Sequence, residues 1–385
     1  GSAENLSRYL DLMLSRIERF YRENDKERTP GEKLTGIINR MGEAYGEKVV
    51  IIIDEYDAPL LEVMHEKENL EPMRKVMQEF YQPLKMMEEK IRFCFLTGIT
   101  RFSQLSIFST LNNIKNVSLS PEFATICGIT EAEMVAHMGD DIDAMAGYYG
   151  CTHDEMLARL RLRYDGYHFA EESEGVYNPY SLINAMADKR LQNYWFESGT
   201  PTFLLEQMKR FGTDFTRLDD ITAPAEAFYR PTETLDDALP LLYQAGYLTI
   251  KDYERESGVY TLGIPNQEVR VGLTFGLLPF YSGLQGGDVQ QGCALKIWRG
   301  LKSGDIDQTM RELKAFLAGV PYVNGFKKKL ADVATVEGFY EYTLYLILSM
   351  LNVYVLTQMH CRTGRMDMVA FMPDAIYIFE FKTRK

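Results

Sequence analysis

The stretch Arg365–Lys382, RMDMVAFMPDAIYIFEFK, decides how the C-terminal part of the chain is read. Its two arms, RMDMVAFM and AIYIFEFK, are rich in β-branched and aromatic residues and flank Pro373-Asp374, a pair suited to a turn, so a β-hairpin is expected. Along a strand successive side chains alternate between faces, which puts Glu380 and Lys382 on one face. Asp367, near the start of the preceding arm, can meet them there. Two carboxylates and a lysine on one sheet face are costly unless used. The acids can hold Mg2+ or Mn2+, which activates a water, while Lys382 orients that water or balances charge developing on a phosphorus centre. Surface strands also pair Glu and Lys two residues apart with no such purpose, so the pattern needs its context.

Upstream, Phe339, Tyr342, Leu344, Tyr345, Ile347 and Leu348 make a mostly apolar helix, and VYVLTQM from Val353 reads as a strand. Helix, strand, strand, strand is the expected order of the last hundred residues.

The N-terminal part reads differently. Leu6, Tyr9, Leu10, Met13, Leu14, Ile17 and Tyr21 recur at helical spacing, and a second helix is expected over Lys33–Tyr45. Val49–Ile53 is five β-branched residues in a row without alternation, as expected of a parallel strand buried on both faces. Helical pattern resumes over Glu71–Glu89, and Ile91–Leu96 reads as a second inner strand. Asp54 and Glu55 follow the first strand directly, the Walker B arrangement, in which one carboxylate orients a Mg2+-bound water and the next polarises the attacking water. Thr97, at the end of the second strand, is placed to stand beside Asp54 as a polar sensor of a γ-phosphate. Acidic residues also open polar turns after strands, so the pair alone is a weak signal.

Between these parts lies a helical, loop-rich region with turns marked by YDGYHF around Gly166 and YNPYSLINAM around Pro179. From Asp236 a helix-like DALPLLYQAG runs into two short strands about a turn at Glu256-Ser257-Gly258, and a helix starts near Pro265. Helix, hairpin, helix suggests a winged-helix unit. Its few basic residues favour an architectural role over DNA binding.

Bulk properties narrow the alternatives. A chain of 385 residues with 46% hydrophobic side chains is expected to fold as several globular units. No apolar run long enough for a membrane span and no signal peptide is readable, so a cytoplasmic setting without membrane partners is expected. The opening Gly1-Ser2 reads as the remnant of a cleaved tag. Five cysteines without a CxxC pair and five scattered histidines argue against disulfides and zinc, leaving oxygen ligands and a hard ion. Net charge is −13, yet from Gln291 to Lys385 there are thirteen Lys and Arg against nine Asp and Glu, including Lys327-Lys328-Lys329. The basic end can face phosphates or be a solvated surface.

Two resemblances add to this. The phrases DEYDAPLL (Asp54–Leu61), FLTGITRFSQLSIFSTLNN (Phe95–Asn113), CGITEAEM (Cys127–Met134), YDGYHF, YNPYSLINAM, NYWFESGTPTFLL (Asn193–Leu205) and LLYQAGYLTI (Leu241–Ile250) resemble, in that order, the AAA-ATPase-like family abundant in Bacteroides. Members carry a phosphate-binding loop upstream, and no GxxxxGK[ST] occurs in this sequence, so the resemblance implies ATP and Mg2+ binding by a full-length protein and no ATP hydrolysis by this chain. GRMDMV followed by AIYIFEFK resembles the PD-(D/E)xK nuclease module often fused behind that family, with Asp367 and Glu380 as metal ligands, Lys382 as the catalytic lysine and Glu337 as the helical acid. Tyr340-Glu341 stands where members commonly have Tyr-His, and Gln358 where a strand acid is common. The module normally continues with a further helix and strand, so an open sheet face is expected here.

The resulting expectation is an α/β chain. Residues 1–135 form a partial ATPase-like parallel sheet, 136–235 a helical region, 236–285 a winged-helix-like unit and 286–385 a PD-(D/E)xK nuclease-like module. It reads as a fragment of an ATPase–nuclease fusion that cleaves nucleic acid, DNA ahead of RNA. The competing readings are a non-cleaving nucleic-acid or protein-binding module and an inactive scaffold.

Overall fold

A computed structural model describes residues 2–21, 26–63, 66–99, 113–197, 202–229, 236–282, 287–319, 336–351, 353–361, 364–372 and 374–382. The chain divides into two compact units of mixed helix and sheet, Gly1–Val117 with Glu226–Leu235, and Ser118–Ala225 with Asp236–Lys385.

The first unit begins with helices α1 (Ala3–Tyr21) and α2 (Pro30–Tyr45). The second starts three residues earlier than the apolar spacing predicts because Thr29 caps it. The Thr29 hydroxyl accepts from the Glu32 N–H, the Glu32 carboxylate accepts from the Thr29 N–H at 3.0 Å, and Pro30 supplies the first helical residue. Strand β1 (Val49–Ile53) pairs in parallel with β2 (Ile91–Leu96), Ile51 opposite Cys94 and Ile53 opposite Leu96. Between them run α3 (Ala58–Val63) and α4 (Lys67–Tyr81), the latter ending before Pro83, which opens a separate turn of helix. Leu14, Ile37, Ile38, Leu60, Met73, Met77 and Leu84 share one core beneath the sheet.

Burial of β1 on both faces is not what the structure has. Val49 is buried, but Val50 and Ile52 are 50% and 68% exposed, as is Phe93 at 54% on the neighbouring strand. The sheet has two strands among the described residues. Its helices pack against the face carrying Val49, Ile51 and Ile53, so a run of uniform hydrophobicity is buried on alternate residues only.

In the second unit β3 (Ile129–Thr130) pairs with β4 (Val176–Tyr177) and leads into α5 (Glu131–Tyr149), α6 (His153–Tyr164) and α7 (Pro179–Asp188). Thr130 with Glu133, and Thr152 with Glu155, form reciprocal caps that start α5 and α6. Met134, Ile142, Met156, Leu160, Tyr164 and Leu182 fill the core between them. The hairpin read from sequence is present as β6 (Thr249–Glu254) and β7 (Val259–Gly263), between α8 (Leu239–Gln244) and α9 (Gln267–Ser282). A third strand, β5 (Ile221–Pro224), pairs with the other side of β7. Four residues ending in proline carry no alternation by which sequence could find it.

Helices α10 (Gly287–Ser303) and α11 (Ile306–Gly319) pack together, and α12 (Val336–Met350) precedes the antiparallel sheet β8 (Tyr354–Cys361), β9 (Gly364–Met372), β10 (Ala375–Phe379). The predicted hairpin is β9–β10, with Ala375 opposite Met372 and Phe379 opposite Met368. Glu380 and Lys382, expected within the last strand, follow its end. No helix among the described residues is long and apolar enough to cross a membrane.

Gly166 in YDGYHF is a position that tolerates no side chain. Its φ is +99°, and a Cβ there would lie 2.4 Å from the carbonyl oxygen of Pro265, at the start of the turn into α9. Gly166→Ala is therefore expected to cost roughly 3 kcal/mol in urea denaturation. A change below about 0.5 kcal/mol would contradict this packing.

Candidate functional site

Helix α12 carries buried apolar side chains all the way round: Leu344, Leu346, Ile347 and Leu348 are each 5% exposed or less. Such a helix must be enclosed. One enclosing surface is β8 and β9, and another is the Phe215 ring, which meets Tyr342 edge-on with centroids 4.9 Å apart. Glu341, next to Tyr342, is carried into this packed layer and is only 9% exposed.

A buried carboxylate needs donors. Glu341 Oε1 accepts a hydrogen bond from Gln358 Nε2 at 2.7 Å. Gln358 lies on β8 with φ +53°, where the β8–β9 ladder is interrupted between Thr357–Met368 and Met359–Met366. It stands across from Asp367. Its other amide atom, Oε1, is buried and has no hydrogen-bond partner among the described residues. Burial pushes the Glu341 carboxyl above its ordinary pKa, and the charges of Asp367 and Asp214 push the same way. The Gln358 hydrogen bond and Arg365 oppose them. Asp214 is held in turn by its own Thr216, whose N–H and hydroxyl donate to Oδ1 at 3.0 and 2.6 Å.

Asp367 is half-buried on β9, and its Oδ2 accepts from the Phe381 N–H at 2.9 Å. The β9–β10 pairing ends at Phe379 opposite Met368, so Asp367 and Glu380 are the next residues beyond its last step. Glu380 and Lys382 are both exposed, and among the described residues neither forms an ion pair. The structure thus brings Asp367 to the segment carrying Glu380 and Lys382. Glu337 lies in the first turn of α12, and its side chain falls outside the described residues, as does the run Lys327-Lys328-Lys329. Sequence reasoning did not assign Glu341, Gln358 or Asp214 to the site. Glu341 is one helical turn beyond Glu337, so helix spacing could have nominated it. Asp214 reaches the site through tertiary packing and leaves no local signal. Among the described residues no three or more His, Cys, Asp or Glu side chains are gathered as a ready cation cage.

The first unit holds the other constellation. The Thr97 hydroxyl donates to Asp54 Oδ1, and the Glu55 N–H lies 3.1 Å from that same oxygen and 3.3 Å from Thr97 Oγ1. The Thr97 N–H donates to the Ile53 carbonyl at 2.9 Å, so β1 and β2 stay in register to their ends. Glu55 has φ +51°, which turns the chain sharply after the strand. Asp57, absent from the sequence reading, is wholly buried and accepts from the Ile99 N–H at 3.2 Å. Gly98 lets it come so close: a Cβ there would lie 2.5 Å from Asp57 Oδ1. Residues 100–112 lie outside the described residues.

Comparison with known proteins matches both constellations to families. Residues 1–108 match the family model described as Predicted AAA-ATPase, and residues 335–385 match that of the PD-(D/E)XK nuclease superfamily. The "Uncharacterized protein in vnfD 5'region" of Azotobacter chroococcum mcd 1 is 30% identical over 349 residues, 90% of this chain and 64% of that protein. The chain therefore spans less than two thirds of its relative's length. No solved structure matches it.

The raised pKa of Glu341 gives a signed expectation. A carboxyl whose folded pKa lies above its unfolded one contributes stability below the unfolded value and loses it as pH rises through the folded value. Glu341→Gln removes that loss. The variant should melt a few degrees above the parent at pH ~8, with the gap shrinking towards pH ~4. A gap independent of pH would refute the assignment.

Proposed function

We propose that this chain, which joins a predicted AAA-ATPase segment to a PD-(D/E)XK nuclease superfamily segment, hydrolyses nucleic-acid phosphodiesters at Asp367, Glu380 and Lys382, with DNA preferred to RNA. One observation carries the reading. The Phe381 N–H holds Asp367 against the segment in which Glu380 and Lys382 stand two residues apart.

The donor set fits a hard divalent cation. Asp367 and Glu380 offer oxygens only, and a buried acceptor without a donor, Gln358 Oε1, lies across the ladder from Asp367. Two carboxylates are enough for Mg2+ or Mn2+, which keep several waters of their own, so a cage of three acids is not needed. When bound, such an ion lowers the pKa of a water and neutralises charge on the phosphate. Asp367, already committed through Oδ2 to Phe381, keeps Oδ1 for the ion. Lys382 is exposed and free to meet a phosphate oxygen.

The β5–β7–β6 sheet with α8 and α9, read as a winged helix, serves the architecture in this proposal. Its cations are spent within the fold: Lys251 donates to the Pro265 carbonyl at 3.0 Å, and Arg270 Nη1 to Asp219 at 2.7 Å. In the first unit Asp54, Glu55 and Thr97 retain a Walker B-like arrangement as part of a P-loop type sheet. No GxxxxGK[ST] in the chain supplies the amide nest and lysine that would hold the β- and γ-phosphates. ATP with Mg2+ is thus a ligand of the longer protein in this reading.

Two measurements test it. Labelled DNA and RNA should be cut in Mg2+ or Mn2+ and not in EDTA, with Asp367→Ala and Lys382→Ala each slowing cleavage by on the order of 100-fold or more. Undiminished cleavage by both variants would sink the assignment, and salt-sensitive binding without cleavage would replace it with a binding module. ATP turnover by the chain should stay at background, and a Mg2+-ATP melting shift of several degrees would contradict that part.

A further inference from the structure

We propose that Gln358 is a third protein ligand of the cation at Asp367 and Glu380, donating its side-chain carbonyl oxygen while Glu341 holds the amide nitrogen. This rests on the metal-site reading above and deepens it.

Two separate costs converge on Gln358. The first is electrostatic. Oε1 is buried and has no hydrogen-bond partner among the described residues, which costs about 1–3 kcal/mol for an acceptor taken out of water. The second is conformational, since a φ of +53° in a residue with a Cβ costs on the order of 1 kcal/mol. The strain interrupts the β8–β9 ladder only at the step facing Asp367, where Thr357–Met368 and Met359–Met366 remain paired on either side.

The amide's orientation is fixed by chemistry. A carboxylate accepts and does not donate, so Nε2 must face Glu341 Oε1, as it does at 2.7 Å. Turning the amide over would set two acceptors against each other. Glu341 therefore orients Oε1 away from itself, and no donor among the described residues meets the carbonyl, which is open to another electron-pair acceptor. A divalent cation at Asp367 is such an acceptor, and side-chain amide carbonyls are ordinary ligands of hard ions. Asp367 and Glu380 already match the charge of a divalent ion, so a neutral third oxygen adds coordination without excess negative charge.

Mn2+ binding by the full chain, measured by calorimetric titration and by the EPR signal of free Mn2+, tests this without reference to cleavage. Gln358→Met keeps the volume and removes the oxygen, and should weaken Mn2+ binding about 10-fold or more. The exchanged pair, Glu341→Gln with Gln358→Glu, keeps one donor and one acceptor in the contact, puts an oxygen ligand at 358 and should bind Mn2+ at least as tightly as the parent. Asp367→Asn serves as the control that loses the site. If Gln358→Met binds like the parent while Asp367→Asn does not, Gln358 is no ligand and the metal-site reading stands. If the parent chain itself does not bind Mn2+, both fall together. Should Gln358→Met fail to fold by circular dichroism, the exchanged pair decides, because 10-fold weaker binding in it overturns the proposal.

Discussion

Among the described side chains of helix α12 those of residues 341–349 are all buried, and the C-terminal site follows from that constraint. Its leucines and isoleucine must be surrounded, so β8 and β9 close over one side while the Phe215 ring packs on Tyr342. Burial is worth about 2 kcal/mol for each such side chain, and several act in concert. That suffices to draw Glu341 out of water with its neighbours. The buried carboxylate then demands a donor, and Gln358 answers at the cost of a left-handed backbone and an unsatisfied carbonyl. Apolar packing thus sets the electrostatics around Asp367.

The first unit reaches a comparable arrangement by a different route. Two parallel strands end together, and the carboxylate of Asp54 is held at that end by the Thr97 hydroxyl and the Glu55 N–H. The buried Asp57 braces the turn by accepting from Ile99, which Gly98 permits through its missing side chain. Among the described residues none covers the face of Val50, Ile52 and Phe93. Hydrophobic runs are written for a complete environment. Where only one face is packed, the strand alternates in burial although its sequence does not.

These contrasts explain what the sequence could tell. The β9–β10 hairpin was legible because alternation and the Pro373-Asp374 turn are local signals, and β6–β7 was legible around Gly258 for the same reason. The contact between Asp54 and Thr97 was legible because each directly follows a strongly apolar strand. Strand β5 was hidden by its shortness. The Glu341–Gln358 contact was hidden by distance in the chain, because 17 residues and a helix-to-strand corner separate the partners. The resemblance to the nuclease family marks Glu341 and Gln358 as departures from its usual residues, but not that the two side chains touch.

That contact makes sense of both departures at once. Were residue 358 an acid, Glu341 and that acid would repel in a poorly hydrated layer that already feels Asp367 and Asp214, and one of them would have to bind a proton. Were residue 341 a histidine, it could donate to an acid at 358 and share its charge. With Glu at 341 the partner must donate, and glutamine is the side chain that donates on one side while still presenting an oxygen on the other. In this chain the donor stands on the strand and the acceptor on the helix, and the Gln358 carbonyl is left over at the step between the Thr357–Met368 and Met359–Met366 pairs.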